Sequence, residues 1–242
     1  MDYKIFLYII LGILPSLVWL SFYLKKDSNP EPKAMILKIF LWGALVTIPV
    51  FFVQISLAML LTKINVDPFV SSLIYWFLVI SFTEEIFKFL VVKFKVLNSH
   101  HLDEPVDIVI YMIVAALGFA GLENILYLFS PIEQSSFNVV MGNALLITFI
   151  RFIGATFLHT LCSAIVGYAL AISFCDQKNR FLEVSTGIIL ATLLHGVYNF
   201  SIITLDGYLK IIIPAVVIFT LAVLVFSGFE KLKKIKSVTI LN

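Results

Sequence analysis

Long apolar stretches alternate with short polar ones along this chain. The apolar runs cover residues 5–24, 34–61, 70–92, 106–129, 143–174, 184–205 and 209–229. As a helix rising 1.5 Å per residue, each is long enough to cross a hydrocarbon layer about 30 Å thick. The pattern therefore predicts an all-α bundle of about seven transmembrane helices. The first run follows the uncharged-on-balance Met1-Asp2-Tyr3-Lys4, is too long for a signal-peptide core and is followed by no small-residue cleavage site, so it reads as a retained helix. The connections are too short to house a soluble domain and no internal repeat is visible. The expectation is one membrane domain over 1–242, with the chemistry concentrated in about 70–205.

Composition removes the alternative of a water-soluble globule. Of the 242 residues 61% are hydrophobic and only 13% charged, against about 25% charged in an ordinary soluble domain. Twenty-three Phe and nine Tyr would leave far more apolar surface than water tolerates, so the lipid bilayer is the solvent and a multi-pass cell-membrane protein is expected. A formal net charge of +2 gives no reason to expect a nucleic-acid partner. Two cysteines, Cys162 and Cys175, provide neither a disulfide framework nor a CxxC metal spacing.

The position of the basic residues matters more than their sum. Lys25, Lys26, Lys33, Lys93, Lys95, Lys178, Arg180, Lys231, Lys233, Lys234 and Lys236 fall at alternate helix ends, and only Lys4, Lys63 and Lys210 at the opposite ends. Basic residues in short loops stay on the cytoplasmic side, which places the N-terminus outside and the C-terminus in the cytoplasm.

Ionisable groups inside the spans are the candidates for chemistry, since each costs about 2.5–3.5 kcal/mol at a helix centre. They are Glu84, Glu85 and Lys88 in the third span, Glu123 in the fourth, Arg151 and His159 in the fifth, and His195 in the sixth. Taken singly they have bland readings: Glu84 and Lys88 as an i,i+4 pair, Arg151 snorkelling to the interface, each histidine a satisfied core residue. Taken together they share a depth. With the outer interface near Trp76, Ser130, Arg151 and Thr204, the carboxylates and both histidines lie about 10–14 Å below it. Small residues adjoin them, among them Gly118, Ala120, Gly121, Gly154, Ala155, Ser163, Gly167 and Gly196, and permit close helix packing.

Two chemistries suit such a set. In a metal-free hydrolase, a carboxylate such as Glu84 takes a proton from water, a histidine steadies that water, and His195 with Asn199, one turn on, donates to a developing oxyanion. Two adjacent carboxylates in low dielectric cannot both ionise cheaply, so one of Glu84 and Glu85 needs a proton, Lys88 or a metal. In a metalloenzyme, Glu123, His159 and His195 supply a zinc ligand set and Glu84 or Glu85 is left as the base. HExxH is absent, so the ligands would converge from separate helices. A rival class, a proton-coupled carrier or receptor using the same groups as relays, lacks the inverted repeat and matched broken helices of many carriers.

The motifs carry a resemblance. Ser81-Phe82-Thr83-Glu84-Glu85-Ile86-Phe87-Lys88, Gly118-Phe119-Ala120-Gly121-Leu122-Glu123-Asn124-Ile125-Leu126-Tyr127, His159-x-x-x-Ser163 and His195-Gly196-Val197-Tyr198-Asn199 occur in that order on consecutive spans. This arrangement resembles the PrsW family of intramembrane proteases, distant relatives of the type II CAAX prenyl proteases and bacteriocin-processing enzymes. Segments 23–32 and 104–111 also resemble that family's connections, so the likeness runs from about 20 to 200. It implies a peptidase acting on a membrane-anchored protein, such as a single-span anti-sigma factor cut at site 1. Carried over, Glu84, Glu85, Glu123, His159, His195 and Asn199 form the catalytic set, with Lys88 and Arg151 in support and Zn2+ or a metal-free glutamic mechanism both open. Cleavage is expected near the extracytoplasmic end of the substrate helix, with the polar 131–142 segment capping the mouth.

Overall fold

The computed structural model describes residues 3–25, 29–99, 102–129, 137–175 and 179–232. Among these the chain is helical, in the order α1 (Tyr3–Leu24), α2 (Lys33–Leu61), α3 (Pro68–Ile74), a π-helical segment (Tyr75–Phe82), α4 (Thr83–Lys95), α5 (Pro105–Leu128), α6 (Phe137–Ile153), α7 (Ala155–Cys175), α8 (Arg180–Thr204) and α9 (Leu209–Leu232). Six stretches are long and apolar enough to cross a membrane. The third predicted span is present as the continuous run α3–π–α4, which the carboxylates and lysine make less apolar than the others. The expected capping segment, 131–142, lies partly outside the described residues, at 131–136.

Helix ends reflect local chemistry. Asp67 starts α3, its Oδ1 accepting from the Phe69 and Val70 amides, with Pro68 at the first helical position, where its missing N–H goes unneeded. Glu104 and Asp107 cap α5 reciprocally, each side chain accepting from the other's end of the first turn.

The central element is α5, buried along almost its whole length and flanked by α1, α2 and α7. Close approach is what its small residues are for. A Cβ on Gly118 would stand 2.0 Å from the Phe40 carbonyl oxygen, and one on Gly43 2.1 Å from that of Ala115, so α2 and α5 touch backbone to backbone.

One expectation needs correction. The run 143–174 is not one straight helix: it breaks at Gly154 into α6 and α7. The Gly154 amide still donates to Ile150 O (2.9 Å) and the Leu158 amide to Gly154 O (2.8 Å), so the break is a bend rather than a loop. Trp19 holds the bend from α1, stacking on Phe157 at 4.2 Å and donating its indole N–H to Phe152 O. Hydropathy is blind to such a bend, because it alters direction and not polarity.

Candidate active site

The π-helical segment delivers two carboxylates to the bundle interior. Its wider turn is marked by Ser81 Oγ donating to Trp76 O, five residues back (2.8 Å). Such segments recur at functional sites because they rotate the succeeding turns relative to an unbroken helix. Glu84 and Glu85 come directly after it, both buried. The ring of Phe77, in the same segment, fits against α8 only because residue 196 is glycine: a Cβ there would stand 2.5 Å from the ring.

Glu85 is fully engaged. Its Oε1 accepts from Lys88 Nζ (2.6 Å) and His195 Nδ1 (2.9 Å), and its Oε2 from Ser163 Oγ (3.3 Å). Lys88 is wholly buried and also lies 3.2 Å from His159 Nδ1. An ammonium group can only donate, so that nitrogen accepts and the His159 proton sits on Nε2, which donates to Glu123 Oε2 (2.9 Å). By the same reasoning the proton of neutral His195 sits on Nδ1, facing Glu85, and its Nε2 is bare.

Glu84 differs from Glu85. Its Oε1 accepts from Gln54 Nε2 (3.1 Å), but its Oε2 is buried with no hydrogen-bond partner, 3.8 Å from both His159 Nδ1 and His195 Nε2. A buried carboxylate oxygen left unpaired is costly. Charge tells the same story: Lys88 pairs with Glu85 and Arg151 with Glu123, which leaves Glu84 without a cation of its own. One proton would restore balance, and a divalent metal ion would more than offset the deficit.

The residues fit a metal. Glu84, His159 and His195 offer ligand atoms within 4.8 Å of one another, and a tetrahedral zinc site with bonds of about 2.1 Å needs its ligand atoms roughly 3.4 Å apart. Each histidine also presents its second nitrogen to a carboxylate, Glu123 or Glu85, the outer arrangement that orients metal-bound imidazoles. The trio that converges thus contains Glu84, where the sequence points to Glu123. Glu123 is turned toward Arg151, whose NH2 group donates to Oε2 at 2.7 Å.

Arg151 is held by groups of the bundle. Its Nε donates to Asn124 Oδ1, and its guanidinium stacks 3.9 Å over Tyr127. A cavity of about 300 Å³ is lined by Glu84, Glu123, Arg151, His159, His195 and Asn199, whereas Glu85 and Lys88 lie behind this wall. The structure therefore brings seven of the eight proposed residues into bonded or ion-pair contact, and places Asn199 on the same cavity. Two contributors escape a search for charges. Gln54 supports Glu84, and Asn124, donating to Gly12 O (3.2 Å) and Thr156 Oγ1 (3.1 Å), supports Arg151. The signal for Gln54 is that it is the sole amide in the apolar α2.

The family model for the PrsW family intramembrane metalloprotease matches residues 31–227. The chain is 30% identical over 231 residues to Protease PrsW of Oceanobacillus iheyensis, covering 96% of this chain and 97% of that protein. It is 31% identical over 233 residues to Protease PrsW of Bacillus subtilis, covering 96% of each. No solved structure matches. Likeness of this extent, across a chain whose motif residues gather in and directly behind one cavity, makes this a peptidase of the membrane: the chain belongs to the PrsW family of intramembrane metalloproteases.

Proposed function

We propose that the protein hydrolyses a peptide bond of a membrane-anchored substrate near the extracytoplasmic end of its transmembrane helix, in the manner of a site-1 cleavage. The observation that carries the reading is the unpaired Glu84 Oε2, facing the bare Nε2 of His195 and the protonless Nδ1 of His159 beside a cavity. Glu84, His159 and His195 would hold Zn2+, which when bound polarises the substrate carbonyl and makes water a better nucleophile. Glu123 is then the proton carrier. Both of its bonds fall on Oε2, so Oε1 is the atom that takes a proton from the attacking water and returns it to the leaving amine nitrogen. Arg151 fixes the Glu123 carboxylate, and Asn199 is positioned on the cavity wall to donate its amide to the oxyanion.

A second reading rests on one contact. Lys88 Nζ already donates to the His159 Nδ1 lone pair that a metal would need. If that bond persists in the working enzyme, catalysis is metal-free and Glu84 Oε2 is the base. Elemental analysis of pure, active protein separates the two: one equivalent of zinc, lost with Glu84→Gln, supports the metal site, and full activity without metal supports the glutamic one. In both cases Glu84→Gln lowers cleavage by about 10²–10⁴ while the protein still folds; activity within tenfold of wild type would remove Glu84 from the mechanism.

The place of the cut depends on topology. With the N-terminus outside, the cavity lies toward the extracytoplasmic face, from which water has the shorter path. A regular membrane helix has its peptide groups already paired and resists hydrolysis, so the substrate must present a frayed or extended segment, as a single-span protein such as an anti-sigma factor does where it leaves the bilayer. Mass spectrometry of the new N-terminus reads this directly, and a cytoplasmic cut overturns it.

A further inference from the structure

Acidic side chains also gather at the opposite end of α5. Glu31, just before α2, and Asp103 and Asp107, around the start of α5, each offer a carboxylate oxygen within 4.8 Å of the others. Asp107 lies 16 residues before Glu123 on the same helix, about 24 Å away at 1.5 Å per residue, so this group is separate from the active-site cavity. Helix capping accounts for part of it: Asp107 Oδ2 accepts from the Asp103 amide (3.2 Å) and the Glu104 amide (2.7 Å). Capping leaves Asp107 Oδ1 unexplained, a carboxylate oxygen on a residue only 1% exposed, with no hydrogen-bond partner. Nor does it explain why Glu31, also buried, is brought from another connection to the same place, where Tyr111 donates to its Oε2.

We propose that Glu31, Asp103 and Asp107 form a binding site for a hard divalent cation, of the Ca2+ or Mg2+ class, that ties the α1–α2 connection to the start of α5. Among the described residues the group is three carboxylates, a donor set that favours hard cations over zinc-like ones. Asp107 Oδ1 supplies a buried ligand. Asp103 is exposed, so water completes the six or more oxygen ligands that these ions require. By bridging carboxylates from the two connections, the ion stabilises the seat of the central helix.

The test is calorimetric titration of the full-length, detergent-purified protein with CaCl2 and, separately, MgCl2. One equivalent of at least one ion binds, and Asp103→Asn, a change at an exposed side chain outside the helices, weakens that binding at least tenfold. Glu84→Gln leaves the titration unchanged, which keeps the result independent of the protease reading. Absence of binding for both ions at millimolar concentration, or equal affinity in Asp103→Asn, overturns the proposal.

Discussion

Gln54 has no charge, yet it decides which oxygen of Glu84 stays free. By occupying Oε1 it leaves Oε2 as the atom aimed at the two imidazoles. Gln54→Leu removes that donor; because both residues line the cavity, water can reach Oε1, and the carboxylate is freed to turn away from the imidazoles rather than stranded. Cleavage in liposomes is expected to fall roughly tenfold or more with the thermal unfolding midpoint little changed, since Gln54 is only half-buried. Lys88 gives the reverse pattern. Lys88→Met leaves Glu85 charged and unpaired in the core, at a cost of about 3–5 kcal/mol. Folded yield collapses, and the double change Lys88→Met/Glu85→Gln restores folding without restoring cleavage. At this scale the sequence was legible in kind more than in partnership: depth put three carboxylates and two histidines on one level, but which carboxylate faces which nitrogen depends on helix rotation and side-chain reach. Spacing along a chain carries neither.

Among the elements, the π-helical segment and α8 depend on each other through Phe77 and Gly196. Gly196→Val drives a side chain into the Phe77 ring and pushes His195 away from Glu85. Cleavage falls, and because the obstacle is a side chain, Phe77→Ala returns part of it; cleavage assays on the single and double variants measure the rescue. Gly118→Ala meets the Phe40 carbonyl instead, where no side chain can yield, so no second change at residue 40 rescues it. The helices themselves were readable from apolar run length: of the seven predicted runs, six are long and apolar enough to cross a membrane among the described residues, and the other is the α3–π–α4 run. The bend at Gly154 and the π turn were not, since both change the path of the backbone while leaving hydropathy untouched. Glycine alone in an apolar run is ambiguous between close packing and a break, and at residue 154 it serves both: a Cβ there would stand 2.3 Å from the Tyr198 hydroxyl.

For the molecule as a whole, a carrier and a protease make opposite demands on a gradient. Purified protein reconstituted with a single-span substrate is expected to cut in vesicles that hold no ion or proton gradient, because peptide hydrolysis needs only water; dependence on a gradient would favour the relay reading of Glu84 and Glu123. The distribution of the site over the bundle has a further consequence, for synthesis. Ribosomes release the helices in order, and α4, α5 and α7 bring Glu84, Glu123 and His159 into the membrane before α8 brings His195. On the proposed site residues, a nascent chain still lacking α8 would be unable to cut the other proteins crowding the translocon. In the proposed mechanism hydrolysis would switch on only when α8 docks, so completion of the bundle would itself gate the activity.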